Sequence, residues 1–156
     1  MSLTNTIKFL QKAALIHQGK VLILKRPENS VSRPGAWDLP GGNAEWPATN
    51  QKTANLHRQE VSREIEEETG LKIDPDVFTD ENLVHFATYF EADLPRFAFI
   101  TGWRVSLADD FNPDSIKISD EHTQLAWIGF TELSDYDFGE PVGTYVKVII
   151  QNAFKV

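Results

Sequence analysis

At 156 residues with 41% apolar side chains, the chain suits a single domain over residues 1–156, and no apolar run is long enough to cross a membrane as a helix. It has no cysteine, which excludes disulfides, thiolate metal sites and cysteine nucleophiles, and fits a cytoplasmic protein. The formal charge of −8 repels nucleic acid and anionic membranes, and it repels a phosphate ester too unless bound cations reverse the field locally.

In chain order, Met1-Ser2-Leu3-Thr4 shows no basic region ahead of an apolar one, so no secretory signal is expected. Ile7–His17 and Val21–Lys25 are apolar-rich strands joined by His17-Gln18-Gly19-Lys20, a hairpin. Pro27 to Gly35 reads as a loop. Trp37-Asp38-Leu39 is a short strand stopped by the turn Pro40-Gly41-Gly42, and residues 43–53 are polar and irregular. Helical character begins near Thr53 and runs to Thr69, with Gly70 as its stop. Leu83–Phe90 and Phe97–Leu107 are strands around the turn Asp93-Leu94-Pro95-Arg96, Leu125–Phe130 is another strand, and Val142–Phe154 has helical spacing. Strands flanked by two helices on one core predict a layered α/β sandwich with a mixed sheet.

The helix ending at Gly70 carries the chemistry. Glu64, Glu67 and Glu68 stand at i, i+3 and i+4 and so share a face, with Glu60 one turn earlier. Ala54, Val61 and Ile65 form a neighbouring apolar face that predicts contact with the sheet, while Glu66 points to solvent. Like charges at i,i+4 destabilise a helix by roughly 0.2–0.5 kcal/mol per pair. A hard divalent cation reverses that cost, because Mg²⁺ prefers carboxylate oxygens and water.

Arg63-Glu64-Ile65-Glu66-Glu67-Glu68-Thr69-Gly70-Leu71 resembles the second half of the Nudix box, R-E-U-x-E-E-x-G-U with U aliphatic, at every specified position. Trp37-Asp38-Leu39-Pro40-Gly41-Gly42 resembles the strand and glycine turn that open the box, and the strand Val21–Arg26 and the segment Asp120-Glu121-His122 to Ile128 sit where the family has counterparts. The spacing departs from the family. The box glycine belongs fourteen residues before Arg63, where this chain has Thr49, and Gly42 lies seven residues too early. The position of the first box glutamate falls on Asn55, leaving Glu45 or Glu60 to serve instead. An insertion within residues 43–56, bulging beside the site, is the expected cause.

The resemblance implies a Nudix-type α/β/α sandwich with a mixed β-sheet. It also implies metal-dependent hydrolysis of a diphosphate bond in a nucleoside diphosphate linked to another group, with water attacking phosphorus. Mg²⁺ is the expected cofactor, with Mn²⁺ able to substitute. Glu67 and Glu68 are the expected metal ligands, and Glu64 is a ligand or a base near the water. Arg63 either orients a glutamate or forms an ordinary i,i+4 pair with Glu67. The Gly42 carbonyl supplies another metal oxygen, Arg26 contacts a substrate phosphate, and Glu121 is a further base or ligand, with His122 beside it as a second candidate base. Trp46, Phe86, Tyr89, Phe97 and Phe99 are candidates for stacking on a base, and strand alternation turns half of any such set to the core. The expected partner is a small nucleotide-like molecule, not nucleic acid or membrane, and a homodimer is left open. Two other readings share the fold: a nucleotide-binding domain without hydrolysis, and an isopentenyl diphosphate isomerase, whose chemistry typically uses a cysteine that this chain lacks.

Overall fold

The computed structural model describes residues 7–45 and 53–156. The first hairpin pairs β1 (Ile7–His17) with β2 (Lys20–Lys25) through a turn in which Gln18 (φ 47°) and Gly19 (φ 74°) are both left-handed. That geometry matches the right-handed twist of the flanking strands. The other strands are β3 (Trp37–Asp38), β4 (Gly41–Asn43), β5 (Leu83–Glu91), β6 (Arg96–Ser106) and β7 (Gln124–Gly129). The helices are α1 (Leu56–Thr69) and α2 (Thr144–Phe154). Among the described residues seven strands form one mixed sheet in the order β3-β2-β1-β6-β5, with β4 also on β1 and β7 also on β2. The pairing of β1 with β6 is parallel over ten residues, and the other ladders are antiparallel.

Strand alternation divides the interior into two layers rather than the one core expected. Ala13 and Leu15 of β1, Leu22 and Leu24 of β2, and Trp103 and Val105 of β6 meet Val61 and Ile65 of α1. Leu10, Ala14, Ile16, Val21, Ile23 and Ile100 face the other way, onto Val146, Ile149, Ile150 and Ala153 of α2. Gly102 lets α2 approach: a Cβ there would lie 2.4 Å from Ile149 Cγ1.

Three local expectations change. The glycines after Pro40 are a strand as well as a turn, since Gly41 and Gly42 pair with Lys12 and Gln11 of β1. α1 starts at Leu56 rather than Thr53, because Asn55 is left-handed (φ 59°) and breaks the helical run just before it. Ala54 is therefore outside the helix and exposed, while Val61 and Ile65 are fully buried. The far end of α1 is as expected: Gly70 is left-handed (φ 74°) and its N–H donates to the Glu66 carbonyl at 2.8 Å.

Candidate active site

β4 and α1 build the site together. Gly41 has φ 132°, and a Cβ on it would sit 2.1 Å from the Gln11 carbonyl oxygen, so only glycine brings this strand onto β1. The Gly41 N–H then donates to Glu68 Oε2 at 2.8 Å, tying strand to helix. A Cβ on Gly42 would lie 2.5 Å from Glu64 Oε2, so the bare backbone there makes a cradle for that carboxylate.

Glu64 and Glu68 line a cavity of about 530 Å³ together with Gly42 and Glu121. Burial of Glu68 pushes its carboxyl up to about 7, against the pull of Lys12 and the Gly41 N–H, with Asp38 and Glu64 adding to the rise. Burial also raises Glu64, with Arg63 opposing and Glu67 and Glu121 reinforcing. His122 is buried, its Nε2 is 3.9 Å from Glu68 Oε1, and burial drops its pKa to about 4, so it faces Glu68 as neutral imidazole.

Arg63 makes contacts of both kinds left open for it. Its Nη1 forks onto the two Glu67 oxygens at 2.9 Å, while its Nη2 donates to Glu60 and Glu64, each at 2.8 Å. Glu67 is thereby turned outward, 58% exposed, and is not among the residues lining the cavity. Of the two candidates for the displaced first glutamate, Glu60 is held by Arg63 and is not among the residues lining the cavity. Glu45 lines the cavity and donates its backbone N–H to Glu60 Oε2 at 3.0 Å. Trp46 and the rest of residues 46–52, half of the segment 43–56, lie outside the described residues. Of the remaining stacking candidates, Tyr89 is on the α2 side of the sheet and lines a second groove of about 1020 Å³ that shares Lys8, Leu10, Arg33 and Tyr145 with the cavity, while Phe86, Phe97 and Phe99 are on the α1 side and line neither.

The same cavity is also lined by cations. Asp38 is fully buried, and its Oδ2 accepts from Arg33 at 2.6 Å, Lys12 at 3.1 Å and Arg26 at 3.3 Å. Burial alone would raise the Asp38 carboxyl; Lys12 and Arg33 override it and hold it at about 2. One anion thus organises three cations, and Lys8 joins them on the cavity surface. Arg26 was legible as a strand-end charge. Lys12 had a weaker signal, a lysine in the middle of an apolar strand, where burial demands a partner. Arg33, in an irregular loop, had none.

The donor set fits a hard cation. Among the described residues no three histidine or acidic side chains converge on one point. Mg²⁺, however, keeps several waters and is typically held by one or two carboxylates plus substrate phosphates. Glu64 and Glu68 offer such a pair, and burial makes their charge costly until a cation neutralises it.

The comparisons with known proteins agree with this fold. The NUDIX domain family model matches residues 12–146. A MutT protein from Methanosarcina mazei Go1 shares the fold with TM-score 0.66 and 19% identity, over 96% of this chain and 94% of that one. The NUDIX domain of Shewanella oneidensis NrtR, solved with ADP ribose, matches at TM-score 0.65 and 16% identity, over 96% and 88%. A bifunctional NMN adenylyltransferase/ADP ribose pyrophosphatase from Francisella tularensis, complexed with AMP and a Mn ion, matches at TM-score 0.52 and 18% identity, over 80% of this chain and 34% of that one. A search of curated proteins gave no match. With the family model covering all but the two ends of the chain, and Glu64, Glu68 and the glycine turn of the box joined in one cavity, the chain belongs to the Nudix family.

Proposed function

We propose that the protein hydrolyses a diphosphate bond in a nucleoside diphosphate linked to another group, with Mg²⁺, or Mn²⁺ in its place, as cofactor. The observation that carries this reading is one cavity lined both by the carboxylates of Glu64, Glu68 and Glu121 and by the cations Lys8, Lys12, Arg26 and Arg33. A bound divalent ion would neutralise the diphosphate and lower the pKa of an attacking water. Glu68 and Glu64 would hold it, with the Gly42 carbonyl as a further oxygen, and Glu67 would join by leaving its fork on Arg63. Arg63 keeps Glu64 aimed into the cavity. Arg26, Arg33 and Lys12 would bind the phosphate oxygens, oriented beforehand by Asp38 so that little is lost in ordering them. Glu121, which also lines the cavity and whose charge acts on Glu64, would take a proton from the water.

The cavity opens into a groove of about 1020 Å³ with walls from Val31, Tyr89, Ile100 and Val142. This more apolar space suits the nucleoside half of the substrate. NrtR's complex with ADP ribose makes ADP-ribose the first compound of the panel, followed by nucleoside triphosphates, oxidised purine triphosphates and dinucleoside polyphosphates. The test is product identification with Mg²⁺, with Mn²⁺ and with EDTA. Release of a mononucleotide or pyrophosphate that EDTA abolishes and excess Mg²⁺ restores is the expected result. Undiminished turnover in EDTA would end the metal-based reading, and tight nucleotide binding without turnover would favour a binding domain.

A further inference from the structure

β5 closes one end of the sheet, and among the described residues no strand pairs with its outer edge. Free strand edges are templates for another chain, and proteins blunt them with charge, proline or bulges. Here the bulge lies at the start, between Leu83 and His85, where Asn152 of α2 also donates to the Val84 carbonyl at 2.9 Å. The stretch Phe86-Ala87-Thr88-Tyr89-Phe90 beyond it has no charge and no proline.

Alternation puts Phe86, Thr88 and Phe90 on the α1 side of the sheet, beside Phe97 and Phe99 of β6. α1 does not cover this corner. Phe86 is 60% exposed, Phe90 48% and Phe97 40%, and Ile7 of β1, paired with Phe97, is 41% exposed. The rings adjoin, with centroids 5.8 Å apart for Phe86–Phe99 and 5.3 Å for Phe90–Phe97. A phenylalanine buries about 150–250 Å², so the three exposed rings alone offer roughly 300 Å² of apolar surface. That is a substantial part of the ~800 Å² per partner in a standard interface, and the strand edge and Ile7 add to it.

We infer that this edge and its aromatic face join two copies of the chain, β5 to β5, antiparallel about a two-fold axis at Thr88. The sequence of the edge is self-complementary in that register. Thr88 faces the partner's Thr88, a favourable cross-strand pair. Phe86 faces the partner's Phe90, and Phe90 the partner's Phe86, so aromatic rings meet twice. On the opposite face His85 comes beside the partner's Glu91, so no like charges oppose each other. A different protein's strand would need its own matching pattern; a second copy brings it by symmetry.

Sedimentation or light scattering across a concentration series reads the mass, expected to rise from 17.7 kDa to twice that value. Phe86→Glu and Phe90→Lys, each alone, should give monomers with unchanged circular dichroism. The double variant should dimerise again, because each new carboxylate then faces the partner's new ammonium across the axis. Thr88→Cys supplies a second readout on a chain without other cysteines. Cα atoms directly opposite in an antiparallel pair are about 4.5–5.5 Å apart, within disulfide reach. Mild oxidation should link this variant as a dimer, while Val31→Cys, exposed elsewhere, should not link under the same conditions. A wild-type chain that stays monomeric at every concentration overturns the inference. So does a dimer indifferent to both single variants, a double variant that does not recover, or a Thr88→Cys chain that links no faster than the Val31→Cys control.

Discussion

At the scale of single residues, the site depends on two kinds of position that have no redundancy. Asp38 is the first. It is buried with three cations on one oxygen, so Asp38→Asn leaves Lys12, Arg26 and Arg33 without their counter-charge. Breaking one side of a buried ion cluster costs about 3–5 kcal/mol, and chemical denaturation should show a loss of that order. The same residue sets an acid limit. Its carboxyl is held at about 2, against an ordinary value of 3.8. A depressed carboxyl stabilises the fold above its ordinary range, and that share is lost as pH falls from about 4 towards 2, some 2–3 kcal/mol. Wild-type stability should drop across this window, while Asp38→Asn, already destabilised, should show a shallower fall. The second kind is glycine. Gly41→Ala drives a methyl into the Gln11 carbonyl and should prevent β4 from docking, seen as a collapsed melting temperature. Gly42→Ala meets only the movable Glu64 carboxylate, so the fold should survive while divalent-cation affinity falls, measured by titration calorimetry. If both variants melt alike, the cradle assigned to Gly42 is wrong.

At the scale of elements, α1 is a helix with two different edges. Val61 and Ile65 bury one edge in the sheet; the glutamates occupy the next. Helical spacing places Glu64, Glu67 and Glu68 together, and on the wheel they look equivalent. In the fold they are not: Glu68 is buried on the Gly41 N–H, Glu64 is half-buried, and Glu67 is exposed on Arg63. Under saturating Mg²⁺, Glu68→Gln should therefore lower kcat most, by about 10² or more, as expected when charge stabilisation at a metal is disturbed. Glu67→Gln should cost less, and Glu66→Gln, half-exposed on the outer side, should change kcat less than about twofold. Equal rates for all three would refute the assignment of a site to this face. α2 offers a test of the opposite layer. Gly102→Val would push on Ile149 and should destabilise the protein by about 2 kcal/mol or more through overpacking, with Mg²⁺ affinity retained in the folded fraction.

At the scale of the whole molecule, a chain with charge −8 gathers four cations, Lys8, Lys12, Arg26 and Arg33, into the same cavity as Glu64 and Glu68. Burial makes the charges of Glu64 and Glu68 costly, and a bound cation would relieve that cost, so metal binding should appear as stability. At a concentration 100 times the Kd, a ligand specific to the folded state adds about 2.7 kcal/mol, which for a chain of this size is a rise of roughly 5–10 °C in Tm. Scanning calorimetry with Mg²⁺ or Mn²⁺ against EDTA reads it, and Glu68→Gln should blunt the rise. By itself the amino-acid order determined what depends on neighbours in the chain: the hairpin at Gln18-Gly19, the helix stop at Gly70, the apolar edge of α1, and the carboxylate motif with its glycine turn. Those follow from dihedral preference and periodicity, which are local. The tertiary structure alone decided what depends on distant segments meeting. Lys12, Arg26, Arg33 and Asp38 come from two strands, a strand end and a loop, and nothing in their spacing announces a common oxygen atom. It also decided which glutamate is buried, because burial belongs to the β4 strand laid across the helix rather than to the helix. The physical reason is the same in both cases: charge pairing and desolvation act through space, and chain spacing encodes only the part of space that one helix or one strand spans.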